Sequence, residues 1–157
     1  MSGSPAPEKL TLEQLRTFIP RMPFNMMMGM RIDRVHDDGV TISCAVIPKL
    51  LDGDGALHGG VLTSLADAAA GLATQRHLGG RRPITTVELK MNHVRPVKSG
   101  RVSVRARLLR VGNTLSIARV DITAARKPAG VALVTYMLLP PVERPANTPP
   151  GPLPPRE

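Results

Sequence analysis

The stretch Leu57-His58-Gly59-Gly60-Val61-Leu62-Thr63-Ser64-Leu65-Ala66-Asp67 decides how this chain folds. Two glycines behind a histidine open a run of small and apolar residues that continues to Leu78, where Gly79-Gly80 supplies the usual C-terminal stop. The pattern predicts one long helix over His58 to Leu78. Along it His58, Leu62, Leu65, Ala69 and Leu72 recur at three- and four-residue steps and form the expected buried stripe. Gly60, Thr63, Ser64, Asp67, Ala70, Gly71 and Thr74 occupy the other side. Nearly all are small, so something must approach that face closely, and Asp67 is the only charge on it. Spacing alone weighs two readings of Asp67 equally, a structural partner of an arginine or backbone donor and a catalytic carboxylate.

Outward from this helix the chain is built of short extended runs. Upstream, Met30 to His36 and Val40 to Ile47 flank Asp37-Asp38-Gly39 and predict a hairpin, and Pro48 to Leu57 is a glycine-bearing loop. Further back, Glu8 to Ile19 predicts a short amphipathic helix stopped by Pro20. Downstream, Thr85 to Val94, Arg101 to Val111, Thr114 to Ala125 and Val131 to Leu139 have strand length, separated by Pro96 to Gly100, Gly112-Asn113 and Lys127 to Gly130. In Arg101-Val102-Ser103-Val104-Arg105-Ala106-Arg107-Leu108 the period is two, which sends apolar residues to a core and arginines to water. Short connections imply antiparallel pairing. The economical architecture is an α+β fold, a five- or six-stranded antiparallel sheet wrapped over the one long helix.

Composition narrows the function classes. The 157 residues suit one domain, with a formal net charge of +9. That charge is uneven, because residues 81 to 130 carry twelve Lys and Arg against Glu88 and Asp121. An anionic partner is favoured, and a solvated basic sheet face explains the same run. Phe18, Phe24 and Tyr136 are the only aromatics, too few for the stacking platforms of nucleic-acid binders, so no nucleic-acid partner is expected. Cys44 is alone and His36, His58, His77 and His93 show no ligand spacing, so no metal and no bound cofactor are expected. No apolar run is long enough to span a bilayer, which predicts a cytoplasmic protein without a membrane partner. Met22, Met26, Met27, Met28 and Met30 read as core filler more than as the lining of an adaptable apolar pocket.

His58-Gly59-Gly60 with Leu65-Ala66-Asp67, then Thr86-Val87-Glu88-Leu89-Lys90-Met91-Asn92 and Arg95-Pro96, resemble the PaaI-like acyl-CoA thioesterases of the hotdog-fold superfamily, over about Phe24 to Leu139. The resemblance implies a sheet wrapped round a central helix, homodimers or homotetramers, and active sites at subunit boundaries. It makes Asp67 the carboxylate that activates water or attacks as a nucleophile, and Gly59 the residue whose backbone N–H polarises the thioester carbonyl. A helix start fits that second role, because it offers free N–H groups and the positive end of the dipole. Thr86 falls where relatives hold the water or carboxylate with a hydroxyl; on its own it also reads as a strand residue. Asp52 departs from the Asn or Gln of many relatives, and the turn Asp52-Gly53-Asp54-Gly55 is an equal explanation for it.

His58 reads as a packing residue at the helix start, with catalysis the lesser option, and Gly60 as a point of close substrate approach. Arg95, Lys98 and Arg101 are candidate contacts for the phosphates of coenzyme A. The expected function is hydrolysis of an acyl-CoA to free acid and coenzyme A. The alternatives are a dehydratase or hydratase of acyl thioesters and a non-catalytic acyl-CoA-binding module. The expected domain plan is a leader and short helix over 1–23, the hotdog domain over 24–140, and a disordered proline-rich tail over 141–157.

Overall fold

Why the long helix sits where it does follows from its neighbours in sequence. In the computed structural model, which describes residues 8–141, the chain forms β1 (Arg31–His36), β2 (Gly39–Ala45), the helix, and then β3 (Ile84–His93), β4 (Arg101–Val111), β5 (Leu115–Ala124) and β6 (Lys127–Leu138). All six strands belong to one antiparallel sheet of order β1-β2-β4-β5-β6-β3. The helix spans Gly59–His77 and packs against β2, β3, β4, β5 and β6. The strand count thus settles at six.

Alternation fixes which side of the sheet meets the helix. Val102, Val104 and Ala106 of β4, Val120 and Ile122 of β5, and Val134 of β6 are buried, while Arg107, Arg119 and Leu133 between them stand outside. Part of the basic run neutralises itself on the outer face, where Arg107 and Arg119 both pair with Asp121, at 2.6 and 3.0 Å. Arg105 pairs with Asp38.

The helix is buried around most of its circumference, which a stripe drawn from spacing does not foresee. Leu62, Leu65, Ala69 and Leu72 are buried as expected, but so are Ala66, Ala70, Gly71, Ala73 and Thr74. His58, placed in that stripe by its spacing, is instead exposed. It is the N-cap, and its ring nitrogen Nδ1 accepts the Gly60 N–H at 2.9 Å. A polar tip at the solvent end of the helix has that bond to make, and core packing would deny it. Buried Thr74 meets Ser116 of β5, hydroxyl to hydroxyl at 2.9 Å.

Two further boundaries differ. The helix expected over Glu8 to Ile19 shrinks to α1 (Leu12–Arg16), followed by a 3₁₀ turn at Ile19–Arg21 and α2 (Pro23–Met27); the long helix is therefore α3. Thr11 and Gln14 form a capping box that starts α1 late, and the Thr17 hydroxyl donates to the Gln14 carbonyl at 2.6 Å and closes it early. Leu10, Leu15 and Phe18 from this segment are buried in the common core. The β5–β6 turn lies at Ala125 and Arg126, with φ of 47° and 63°, ahead of the Lys127 to Gly130 expected from glycine and proline. Gly130 is in β6, where an added Cβ would stand 2.5 Å from the Met91 side chain. Of the clustered methionines, Met28 and Met30 fill the core and Met26 and Met27 are exposed. Residues 1–7 and 142–157, with the expected disordered tail, lie outside the described residues. Among the described residues no helix is long and apolar enough to cross a membrane.

Candidate active site

Asp67 sits on the third turn of α3, on the side that faces β3 and β6. Its carboxylate oxygen Oδ1 accepts the Thr86 hydroxyl at 2.9 Å and lies 2.8 Å from the Tyr136 hydroxyl. Thr86 and Tyr136 are direct cross-strand partners in the β3–β6 register, which is why both hydroxyls reach the same oxygen. A β-bulge follows at once, between Thr86 and Glu88, and leaves Val87 exposed. Burial, and then the charge of Asp67, push the Tyr136 hydroxyl well above its ordinary titration range. It is a neutral donor at any working pH.

This carboxylate opens into a cavity of about 450 Å³ whose walls are largely apolar: Phe18, Met22 and Phe24 from the N-terminal segment, Ala68 and Leu72 from α3, and Pro83 and Ile84 at the start of β3. Ser64 and Gln75 add polar atoms, although the Ser64 hydroxyl is spent on the Gly60 carbonyl at 2.7 Å. Arg82 also lines the cavity, with its guanidinium committed to the carbonyls of Asn113, Leu138 and Leu139.

Gly59 lies elsewhere. It borders a second cleft, of about 310 Å³, together with Asp52, Leu62, His93 and Arg95. The Gly60 N–H is used by His58, whereas the Gly59 N–H, at the first position of the helix, has no acceptor among the described residues. The His93 ring covers it closely, since a Cβ at Gly59 would stand 3.2 Å from that ring. Asp52 holds its own loop: Oδ1 accepts the N–H groups of Asp54 and Ala56, each at 3.0 Å. The Ala56 bond above all keeps its carboxyl below the usual range. Arg95 and Lys98 are exposed beside this cleft or its loop, while Arg101 donates to the Ser43 hydroxyl at 3.1 Å.

The two clefts share no residue, and β3 joins them. Ile84 at its first residue borders the Asp67 cavity and His93 at its last borders the Gly59 cleft. β3 is also an outer strand of the sheet, paired on one side only, by β6. Of the residues singled out from sequence, Asp67 and Thr86 come together, as do Gly59, Asp52 and Arg95, but the two sets stay apart. Tyr136 and His93 were missed. The signal for Tyr136 is indirect, lying in the small residues of α3 that make room for it, and for His93 the sequence offers no signal beyond the histidine itself.

Comparison with known proteins supports the fold and identifies the family. The profile described as the thioesterase superfamily matches residues 54–129. A Haemophilus influenzae protein provisionally named an esterase is 30% identical over 113 residues, 71% of this chain and 82% of that one. The medium/long-chain acyl-CoA thioesterase YigI of Escherichia coli K12 is 29% identical over 137 residues, 77% of this chain and 88% of its own. Among solved structures, a mutant thioesterase from Pseudomonas aeruginosa superposes with a TM-score of 0.79 at 26% identity, covering 88% of this chain and all of that one. A six-stranded antiparallel sheet around one helix, a carboxylate facing an apolar cavity and these likenesses lead to one assignment: the chain belongs to the thioesterase superfamily and is a thioester hydrolase of hotdog fold.

Proposed function

We propose that the protein hydrolyses acyl-CoA thioesters to the free acid and coenzyme A, at sites shared by two copies of the chain. The observation that carries this reading is the separation of an Asp67 carboxylate and an unused Gly59 N–H into different clefts at opposite ends of β3. At 1.5 Å rise per residue the two positions stand roughly 12 Å apart along α3, too far for one carbonyl to meet both. Antiparallel pairing of two β3 edges, each about 33 Å long, would set the Asp67 end of one copy against the Gly59 end of the other. Both needs would then be met twice per dimer.

In that composite site the acyl group lies in the apolar cavity, which suits an aliphatic or aryl chain, and the thioester carbonyl points at the partner's Gly59 N–H. Asp67 takes a proton from water as it attacks the carbonyl carbon, or attacks directly. The oxyanion that forms is held by the Gly59 N–H and the positive end of α3. Collapse breaks the C–S bond and releases the thiolate of coenzyme A, which takes the proton from Asp67 on the water route; on the direct route a water molecule then hydrolyses the acyl–Asp67 anhydride to the free acid and restores the carboxylate. His58 keeps the first turn of α3 in shape by holding the Gly60 N–H. Gly60 gives space, not a donor. Arg95 and Lys98 are placed for the phosphates, and Arg101, tied to Ser43, less so. The name of the Escherichia coli relative supports a medium or long acyl chain.

Thiol release measured over a panel of acyl-CoA esters tests the reading. Asp67→Ala should remain folded and lose at least about 100-fold in kcat, the scale of a removed acid–base group. Near-wild-type turnover by a folded Asp67→Ala protein ends this mechanism.

A further inference from the structure

Gly71, Tyr136 and Asp67 form a contact that the reading above does not use. Asp67, Gly71 and Thr74 follow one another at helical steps along the face of α3 that meets β6. Across from them, Thr86, Tyr136 and Ser116 lie side by side in the sheet register. Gly71 is therefore opposite Tyr136, and a Cβ built on it would stand 2.8 Å from the Tyr136 hydroxyl. Any side chain at 71 would push that hydroxyl away. The tyrosine is buried, with strand neighbours on both sides, and its hydroxyl lies 2.8 Å from both the backbone carbonyl and Oδ1 of Asp67. With the carboxylate ionised, the charge-assisted bond to Oδ1 is the stronger of the two. Thr86 donates to the same oxygen. Oδ2 has no donor among the described residues.

We propose that Tyr136 is a positioning residue for catalysis: with Thr86 it holds Oδ1 of Asp67, so that Oδ2 is the oxygen turned to the attacking water or thioester. This rests on Asp67 being the catalytic carboxylate. Gly71 belongs to the same device, as the gap that admits the hydroxyl. Arg82 is the other charged side chain on the cavity wall among the described residues. Its guanidinium is held by the main-chain carbonyls of Asn113, Leu138 and Leu139.

Tyr136→Phe keeps the ring and removes the donor. We expect kcat to fall roughly 10- to 100-fold with KM little changed, the scale of a lost hydrogen bond to a charged group. The acid limb of the pH–rate profile should move to higher pH, because the ionised carboxylate loses a donor. A merely structural tyrosine would not move that limb. Gly71→Ala, which displaces the hydroxyl without altering any residue of β6, should give the same two changes, and should add little to Tyr136→Phe. It also serves if Tyr136→Phe fails to fold. A folded Tyr136→Phe protein with wild-type kcat and acid limb, beside an inactive Asp67→Ala, overturns the role of Tyr136 and leaves Asp67 in place. Equal losses from Gly71→Ala in both backgrounds also overturn it, since the alanine then acts on the helix. An active Asp67→Ala overturns both readings together.

Discussion

Two inactive proteins that repair one another would be the sharpest sign of a shared site. The first is Asp67→Ala. The second is Gly59→Pro, which removes the one N–H in question: proline is at home in the first position of a helix, and His58 before it, at φ −55° and ψ 135°, already has a conformation that proline accepts. The His93 ring must yield by a few tenths of an ångström, since it stands 3.2 Å from the Cβ position. Loss of the carboxylate costs about 10²- to 10⁴-fold and loss of one oxyanion donor about 10²- to 10³-fold, so each homodimer should retain roughly 1% or less. After subunit exchange, a heterodimer has one site with both lesions and one with neither. Random mixing of equal amounts makes about half of the dimers mixed, so total thiol release should climb to about a quarter of wild type. If each chain instead carried a complete site, every site in the mixture would keep one lesion and nothing would return. Exchange is checked by native mass spectrometry with one partner tagged. Verified heterodimers without recovered activity refute the shared-site argument.

Other consequences concern charge and pH. If Arg95 and Lys98 meet the phosphates, KM for an acyl-CoA should rise with salt more steeply than KM for the same acyl group on a short uncharged thiol, and alanine at both positions should flatten the difference at constant kcat. Equal salt responses from the two substrates would assign the basic surface to solubility. The loop carboxylate of Asp52 gives a stability prediction. Its folded value lies below the ordinary 3.8, so its contribution is present above that value and lost as pH falls through the lower folded one. Thermal melts between neutral and about pH 3 should therefore fall more steeply below about pH 4 for wild type than for Asp52→Asn; parallel curves would show that the turn does not depend on this charge.

Sequence alone determined the elements whose signal is local. The glycine pairs at either end of α3, the turn at Asp37-Asp38-Gly39 and the strict alternation of β4 each state their structure within a few residues, and all three are present. So was the candidate carboxylate, since a single acid among small residues needs no neighbour to be noticed. Where a local signal was misleading, a stronger local bond replaced it: the Thr11–Gln14 capping box and the Thr17 hydroxyl shortened the N-terminal helix, and Ala125-Arg126 took the turn that Gly130 had seemed to mark. Tertiary structure decided everything that depends on which residues meet across the sheet. Spacing shows that the Asp67 face of α3 is small, but not that Tyr136, 69 residues away, fills the gap at Gly71 and donates to the carboxylate. It shows that Gly59 opens a helix, yet only the wrapped sheet puts His93 over it and Asp67 into a different cavity. The physical reason is one of range: caps, turns and periodicity are settled by contacts a few residues apart, whereas the partners of a buried polar group are chosen by strand order and register. The order β1-β2-β4-β5-β6-β3 returns β3 to the sheet's edge beside β6, and that placement brings Thr86 and Tyr136 to the Asp67 carboxylate while Gly59 stays in a different cleft.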